Sequence, residues 1–73
     1  MGKENISLYK KVWCRIRYWQ SLYDISDSTL AEYLNVCERT LRDYDKNAKN
    51  ITLEKVNNFL DSCNIGFDDL MDI

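Results

Sequence analysis

Apolar residues recur along this chain at three- and four-residue intervals, and period-two alternation is scarce, so the pattern predicts helices throughout. Leu8, Val12, Ile16, Trp19 and Tyr23 share one face of a helix running from about residue 6 to 22. Ser26 stands where an N-cap belongs, ahead of a short helix that turns Leu30, Ala31 and Leu34 inward. "NVC" at 35–37 breaks the pattern, and a third helix follows from about Glu38 to Lys46, with Leu41 and Tyr44 inward. Asn47 is the expected left-handed residue after it, because Asn tolerates positive φ better than any residue except Gly. Thr52 caps a fourth helix bearing Leu53, Val56, Phe59, Leu60 and Cys63. Beyond Gly66, "FDDLMDI" forms a last turn or two, with Asp68 and Asp69 suited to a helix N-terminus. The expected architecture is an all-α, compact five-helix domain whose core includes Leu34, Val36, Leu41 and Leu60.

Composition agrees with one soluble domain. The 73 residues are 45% hydrophobic and 30% charged, too apolar for disorder and too short for a second core. No run reaches the roughly 20 apolar residues of a membrane span, and no apolar leader follows Lys3 and Glu4, so a cytoplasmic location is expected. Met1-Gly2 is not continued by the Ser or Thr that myristoylation favours at position 6, where Ile6 stands.

Three cysteines and no histidine leave neither a zinc site nor the usual base for a nucleophile, so neither an enzyme nor a bound cofactor or metal is expected. Cys14, Cys37 and Cys63 are expected as free thiols. Cys37 sits at a helix start, where thiol pKa values fall. It suits either a redox switch or a small residue in place of Ser.

The net charge of −2 conceals an asymmetry. In the first twenty residues Lys3, Lys10, Lys11, Arg15 and Arg17 oppose only Glu4, while from residue 50 onward Lys55 alone opposes Glu54, Asp61, Asp68, Asp69 and Asp72. A basic first helix is therefore joined to an acidic tail, and the local field matters more than the total.

Residues 16–71 resemble the helix-turn-helix domain of the Cro/C1 repressor family. The resemblance rests on Ile16-Arg17 in the first helix, Leu30-Ala31 with Leu34 in the second and Val36 in the turn. Thr40-Leu41 in the third helix, an acid at Asp45 and the "TLEKV…LDSCNI…DDL" ending complete it. It implies a single lambda repressor-like domain over 1–73, with the helix-turn-helix at about 27–46. The implied protein is a prokaryotic or phage-type transcriptional regulator that binds double-stranded DNA as a homodimer, its third helix entering a major groove about 12 Å wide.

Carried onto matching positions, the resemblance implies base contacts by Glu38, Arg39, Arg42 and Asp43. Phosphate contacts fall to Ser26, Asp27, Thr40, Lys46, Asn47 and Lys49, with Arg17, Lys10 and Lys11 either extending a basic rim or forming a solvated face. Phe67, Leu70, Met71 and Ile73 make an apolar edge of the kind that joins two subunits, and Tyr9 and Trp13 form a second candidate surface for self-association. Arg39 matches guanine O6 and N7; Glu38 either accepts from cytosine or serves as a first-turn acid.

The chain departs from the family at Asp27, where Gln is usual, and at Gln20 and Asp45, where an Arg–Glu ion pair is frequent. A Gln20–Asp45 hydrogen bond is expected in its place, and Gln20→Arg is expected to restore the ion pair. Asp27, Glu38 and Asp43 support an alternative: a protein-interaction module that keeps the fold without binding DNA.

Overall fold

The fold comes from a computed structural model, in which residues 7–72 are described. Five α-helices follow in order: α1 (Leu8–Leu22), α2 (Asp27–Leu34), α3 (Glu38–Lys46), α4 (Leu53–Cys63) and α5 (Phe67–Met71). A 3-10 turn over Ala48–Asn50, which apolar spacing does not predict, links α3 to α4. No strand occurs among the described residues. No helix among them is long and apolar enough to cross a membrane.

Short polar side chains start three of the helices. Ser7, Ser26 and Thr52 each accept a hydrogen bond from a backbone N–H three residues on, satisfying a donor that the first helical turn leaves open. At α5 the roles reverse: Asp69 Oδ2 accepts from the backbone N–H of Gly66 at 3.1 Å. Cys37 occupies the N-cap position of α3 without making a side-chain capping bond.

Helix ends follow a repeated device, and it does not fall at Asn47 as expected. Asp24, Asn35 and Asn64 adopt positive φ of 53°, 62° and 58°, whereas Asn47 is extended at −148°. At each of the three, the next residue's N–H reaches the carbonyl five positions back: Ile25 to Gln20, Val36 to Ala31, Ile65 to Leu60. These are Schellman closures, and each folds an apolar residue back over the helix it ends. Asn47 instead caps the 3-10 turn, its Oδ1 accepting from Lys49 N at 3.2 Å. That turn supplies local backbone bonds that make a left-handed residue unnecessary there.

Ile16, Leu30, Leu34, Leu41, Phe59 and Leu70 are fully buried, drawing α1 to α5 around one centre. α2 packs against α3 and α4, while α1 packs against α5 and the 3-10 turn. Ala31, buried among them, keeps the crossing helices close. Val36 and Leu60 are half-buried against this core rather than inside it. Trp19 is also half-buried, meeting Phe59 edge-to-face at 5.2 Å.

Three residues expected on inward faces are exposed: Leu8, Tyr23 and Leu53. All sit at or just beyond a helix end, where the apolar stripe runs past the layer beneath it. Trp13 moves the other way. Expected near a self-association surface, it is buried at 4% exposure, packed edge-on to Tyr44 at 5.2 Å.

Candidate nucleic-acid interface

α3 divides cleanly into two faces. Leu41 and Tyr44 point into the core, three residues apart, and fix the helix by its inner stripe. Glu38, Arg39, Arg42 and Asp43 all lie exposed on the outer side, as their positions between the buried residues require. Arg39 and Asp43 have the i, i+4 spacing of an ion pair, yet neither is ion-paired among the described residues. Thr40 is half-buried, its hydroxyl 3.3 Å from the Cys37 sulfur, an interaction that lowers the Cys37 thiol pKa.

Three residues connect α2 to α3. Asn35 turns the chain through the left-handed region, Val36 packs back on the core, and Cys37 resumes an extended backbone. The turn is short because the Schellman closure of α2 reverses the chain before α3 begins.

Between α1, the start of α2 and the end of α3 lies a partly exposed polar network centred on Arg17. Its Nε and Nη2 grip both oxygens of Asp45, at 3.1 and 2.8 Å, in a bidentate fork. Nη1 donates to Asp27 Oδ1 at 2.9 Å and to Gln20 Oε1 at 2.6 Å. Gln20 donates in turn to Asp27 at 2.8 Å and to the Ile25 carbonyl at 3.0 Å. The indole N–H of Trp13 donates to Asp45 at 2.7 Å, and the guanidinium carbon lies 5.2 Å from the Trp13 ring centre. One arginine on α1 thus ties the start of α2 to the end of α3.

This network corrects the expected Gln20–Asp45 bond. Arg17, one turn earlier on α1, reaches Asp45 first, and the nearly buried Gln20 turns toward Asp27 and the α1–α2 corner. Two expected phosphate ligands, Arg17 and Asp27, are therefore engaged with partners of the chain itself. Four donors of Arg17 are occupied, and the Asp27 carboxylate faces Arg17 and Gln20. The electrostatics follow. Hydrogen bonds from Gln20 and Arg17 hold the Asp27 carboxyl below its ordinary 3.8, and Arg42 adds a smaller push in the same direction. Arg17 does the same to Asp45, with help from Trp13, while Asp45 raises Arg17.

The other expected contacts fall in two places. Ser26 is exposed at the start of α2, its oxygen capping the helix. Lys46, Asn47 and Lys49 gather at the end of α3 and on the 3-10 turn, beside an open recess of about 760 Å³ against α1. Nothing in the sequence points to that recess, because the 3-10 turn that brings Lys49 near α1 has no periodicity to detect.

The apolar edge is only partly available as a surface. Phe67 is exposed and Met71 half-buried, but Leu70 is fully buried and drops out; Ile73 lies outside the described residues. Phe67 instead joins Leu8, Tyr9 and Leu53 around a groove of about 230 Å³ between α1 and α4. Comparison with protein-family models, curated proteins and solved structures finds no match to this chain.

Proposed function

We propose that this domain is a sequence-specific double-stranded DNA-binding regulator of the Cro/C1 helix-turn-helix type, prokaryotic or phage in character. In this reading α2, the 35–37 turn and α3 form the helix-turn-helix, and α3 enters the major groove of DNA as part of a homodimer. The observation that carries it is the contrast within α3: a buried inner stripe and an outer face bearing two arginines, Arg39 and Arg42, without ion-pair partners among the described residues. Unpaired guanidinium groups on a rigid helix suit bidentate recognition of guanine and of phosphate.

Acidity elsewhere does not oppose this. Asp27 and Asp45, the carboxylates bracketing the helix pair, share Arg17, which offsets one of their two negative charges. Lys46 and Lys49 supply phosphate contacts, together with Ser26 and Asn47.

A second reading rests on Glu38 and Asp43, which stay exposed on the same face without ion-pair partners among the described residues. Carboxylates there repel phosphate and suit a basic protein partner instead. Titration of the chain against random duplex pools at two salt concentrations separates the two. DNA binding gives log affinity falling with log salt at about 0.9 per phosphate neutralised, and an interaction module gives no binding to measure.

A further inference from the structure

We propose that three polar side chains of α4, Lys55, Asn58 and Ser62, are positioning residues that set the direction of α3; this rests on the function proposed above, in which α3 reads DNA. They lie three and four residues apart, so they share one face of α4. That face meets the end of α2. Lys55 Nζ donates to the Asn35 carbonyl at 3.5 Å, Asn58 Nδ2 to the Leu34 carbonyl at 3.4 Å, and Ser62 Oγ to the Tyr33 carbonyl at 3.4 Å. Residue numbers rise along α4 as they fall along α2, and three successive carbonyls are met in order.

Those carbonyls have no other backbone partner. The Schellman closure of α2 sends the N–H groups of Asn35 and Val36 back to Glu32 and Ala31. No backbone N–H among the described residues reaches the carbonyls of Tyr33, Leu34 or Asn35. α2 also has no basic residue in its last turn, so Lys55 brings a cation from α4 to the negative pole of its neighbour. Lys55 is half-buried, and none of the five acids sharing residues 50–73 with it pairs with it among the described residues.

Asn35 is the first of the three residues between α2 and α3, and at a φ of 62° it reverses the chain. Fixing its carbonyl against α4 fixes the pivot from which α3 departs. α2 packs against α4, and α3 packs against α2 and the 3-10 turn. The seam therefore passes the orientation of α4 through α2 to the exposed Arg39 and Arg42. A bidentate base contact tolerates little misalignment of the helix that carries it, whereas a flexible side chain on phosphate tolerates more. Loosening the seam should cost discrimination between duplexes before it costs binding.

The test is the ratio of affinities for a selected and a scrambled duplex at one salt concentration, measured on the full chain beside its thermal unfolding. Lys55→Met and Asn58→Ala should each narrow that ratio about 2- to 30-fold, and Lys55→Arg, which keeps a cation and its donors, should retain it. Ser62→Ala, a milder change at an exposed position, should narrow it less and serves where Asn58→Ala does not fold. Lower melting points with an unchanged ratio would make the seam a stabilising device alone and overturn the proposal. Equal losses on both duplexes would also overturn it, marking Lys55 as a phosphate contact. If the parent binds neither duplex, the DNA reading fails and backbone residual dipolar couplings decide alone. A changed angle between α3 and α4 in Lys55→Met then supports the positioning role, and an unchanged angle refutes it.

Discussion

Two pairs of carboxylates on α2 and α3 meet opposite fates. Asp27 and Asp45 are gathered by Arg17 and Gln20 into a network that joins three helices. Glu38 and Asp43 stand on the outer face of α3 with no ion-pair partner among the described residues. The first pair consumes a cation to hold the helix pair together. The second shares a face with Arg39 and Arg42 and offsets their charge one for one. Net charge is thus a poor guide to what this surface offers a partner, because part of the acidity is already answered from within.

Breaking the foundation of α3 should have the largest effect. Leu41→Ala removes a fully buried side chain and should cost roughly 2–5 kcal/mol, approaching the total stability of so small a domain. Thermal or urea unfolding measures it. A melting point within a few degrees of the parent would mean that α3 is not seated by its inner stripe.

Next is the network itself. Arg17→Met should cost about 1–3 kcal/mol, discounted for the partial exposure of the guanidinium, because Asp27 and Asp45 lose their shared cation. Gln20→Arg, which the family resemblance favours, should instead destabilise by about 1–2 kcal/mol. It sets a second guanidinium beside Arg17 and removes the acceptor that Arg17 uses. A neutral or stabilising result would show that the two arginines can share Asp27 and Asp45.

The pH dependence sharpens the same comparison. Gln20 and Arg17 hold Asp27 below 3.8, and Arg17 holds Asp45 below it, so both carboxyls favour the folded state. Their contribution is complete above the unfolded value and is lost as pH falls through the lower folded values. Stability should therefore drop below about pH 4. Asp45→Asn should be less stable than the parent at pH 7, and the difference should shrink as acid protonates the parent. Parallel stability curves down to about pH 2 would remove Asp45 from the account.

The smallest expected effect belongs to the outer face. Glu38→Gln should leave stability within about 0.5 kcal/mol, its dipole contribution being modest. It should tighten binding to every duplex if Glu38 only repels phosphate, or weaken the preferred site alone if it accepts from cytosine.

The helices themselves are legible in the sequence because their signals are local. Apolar spacing and the caps Ser26 and Thr52 suffice to locate α2, α3 and α4, and the three-residue interval between Leu41 and Tyr44 is enough to turn both inward. What the sequence hides depends on reach or on competition between partners. An arginine side chain spans more than one helical turn, so position matching pairs Asp45 with Gln20 while Arg17 makes the contact. Asn47 has the composition of a left-handed residue, but the 3-10 turn satisfies its neighbourhood otherwise. Asp24, Asn35 and Asn64 do carry a readable sign, each being followed by Ile or Val at a helix end. Trp13 reads as peripheral because the acceptor for its indole N–H lies 32 residues away. The outward position of Arg39 is legible; whether DNA meets it is a matter of binding.

That claim is tested most directly by measuring parent and Arg39→Ala affinities, at one salt concentration, for a duplex selected from a random pool and for a scrambled one. The account predicts a loss on the selected duplex of about 1–3 kcal/mol, roughly 5- to 150-fold, with a much smaller loss on the scrambled duplex. Equal losses on both would reduce Arg39 to a phosphate contact. Failure of the parent to bind either duplex would contradict the DNA-reading account outright.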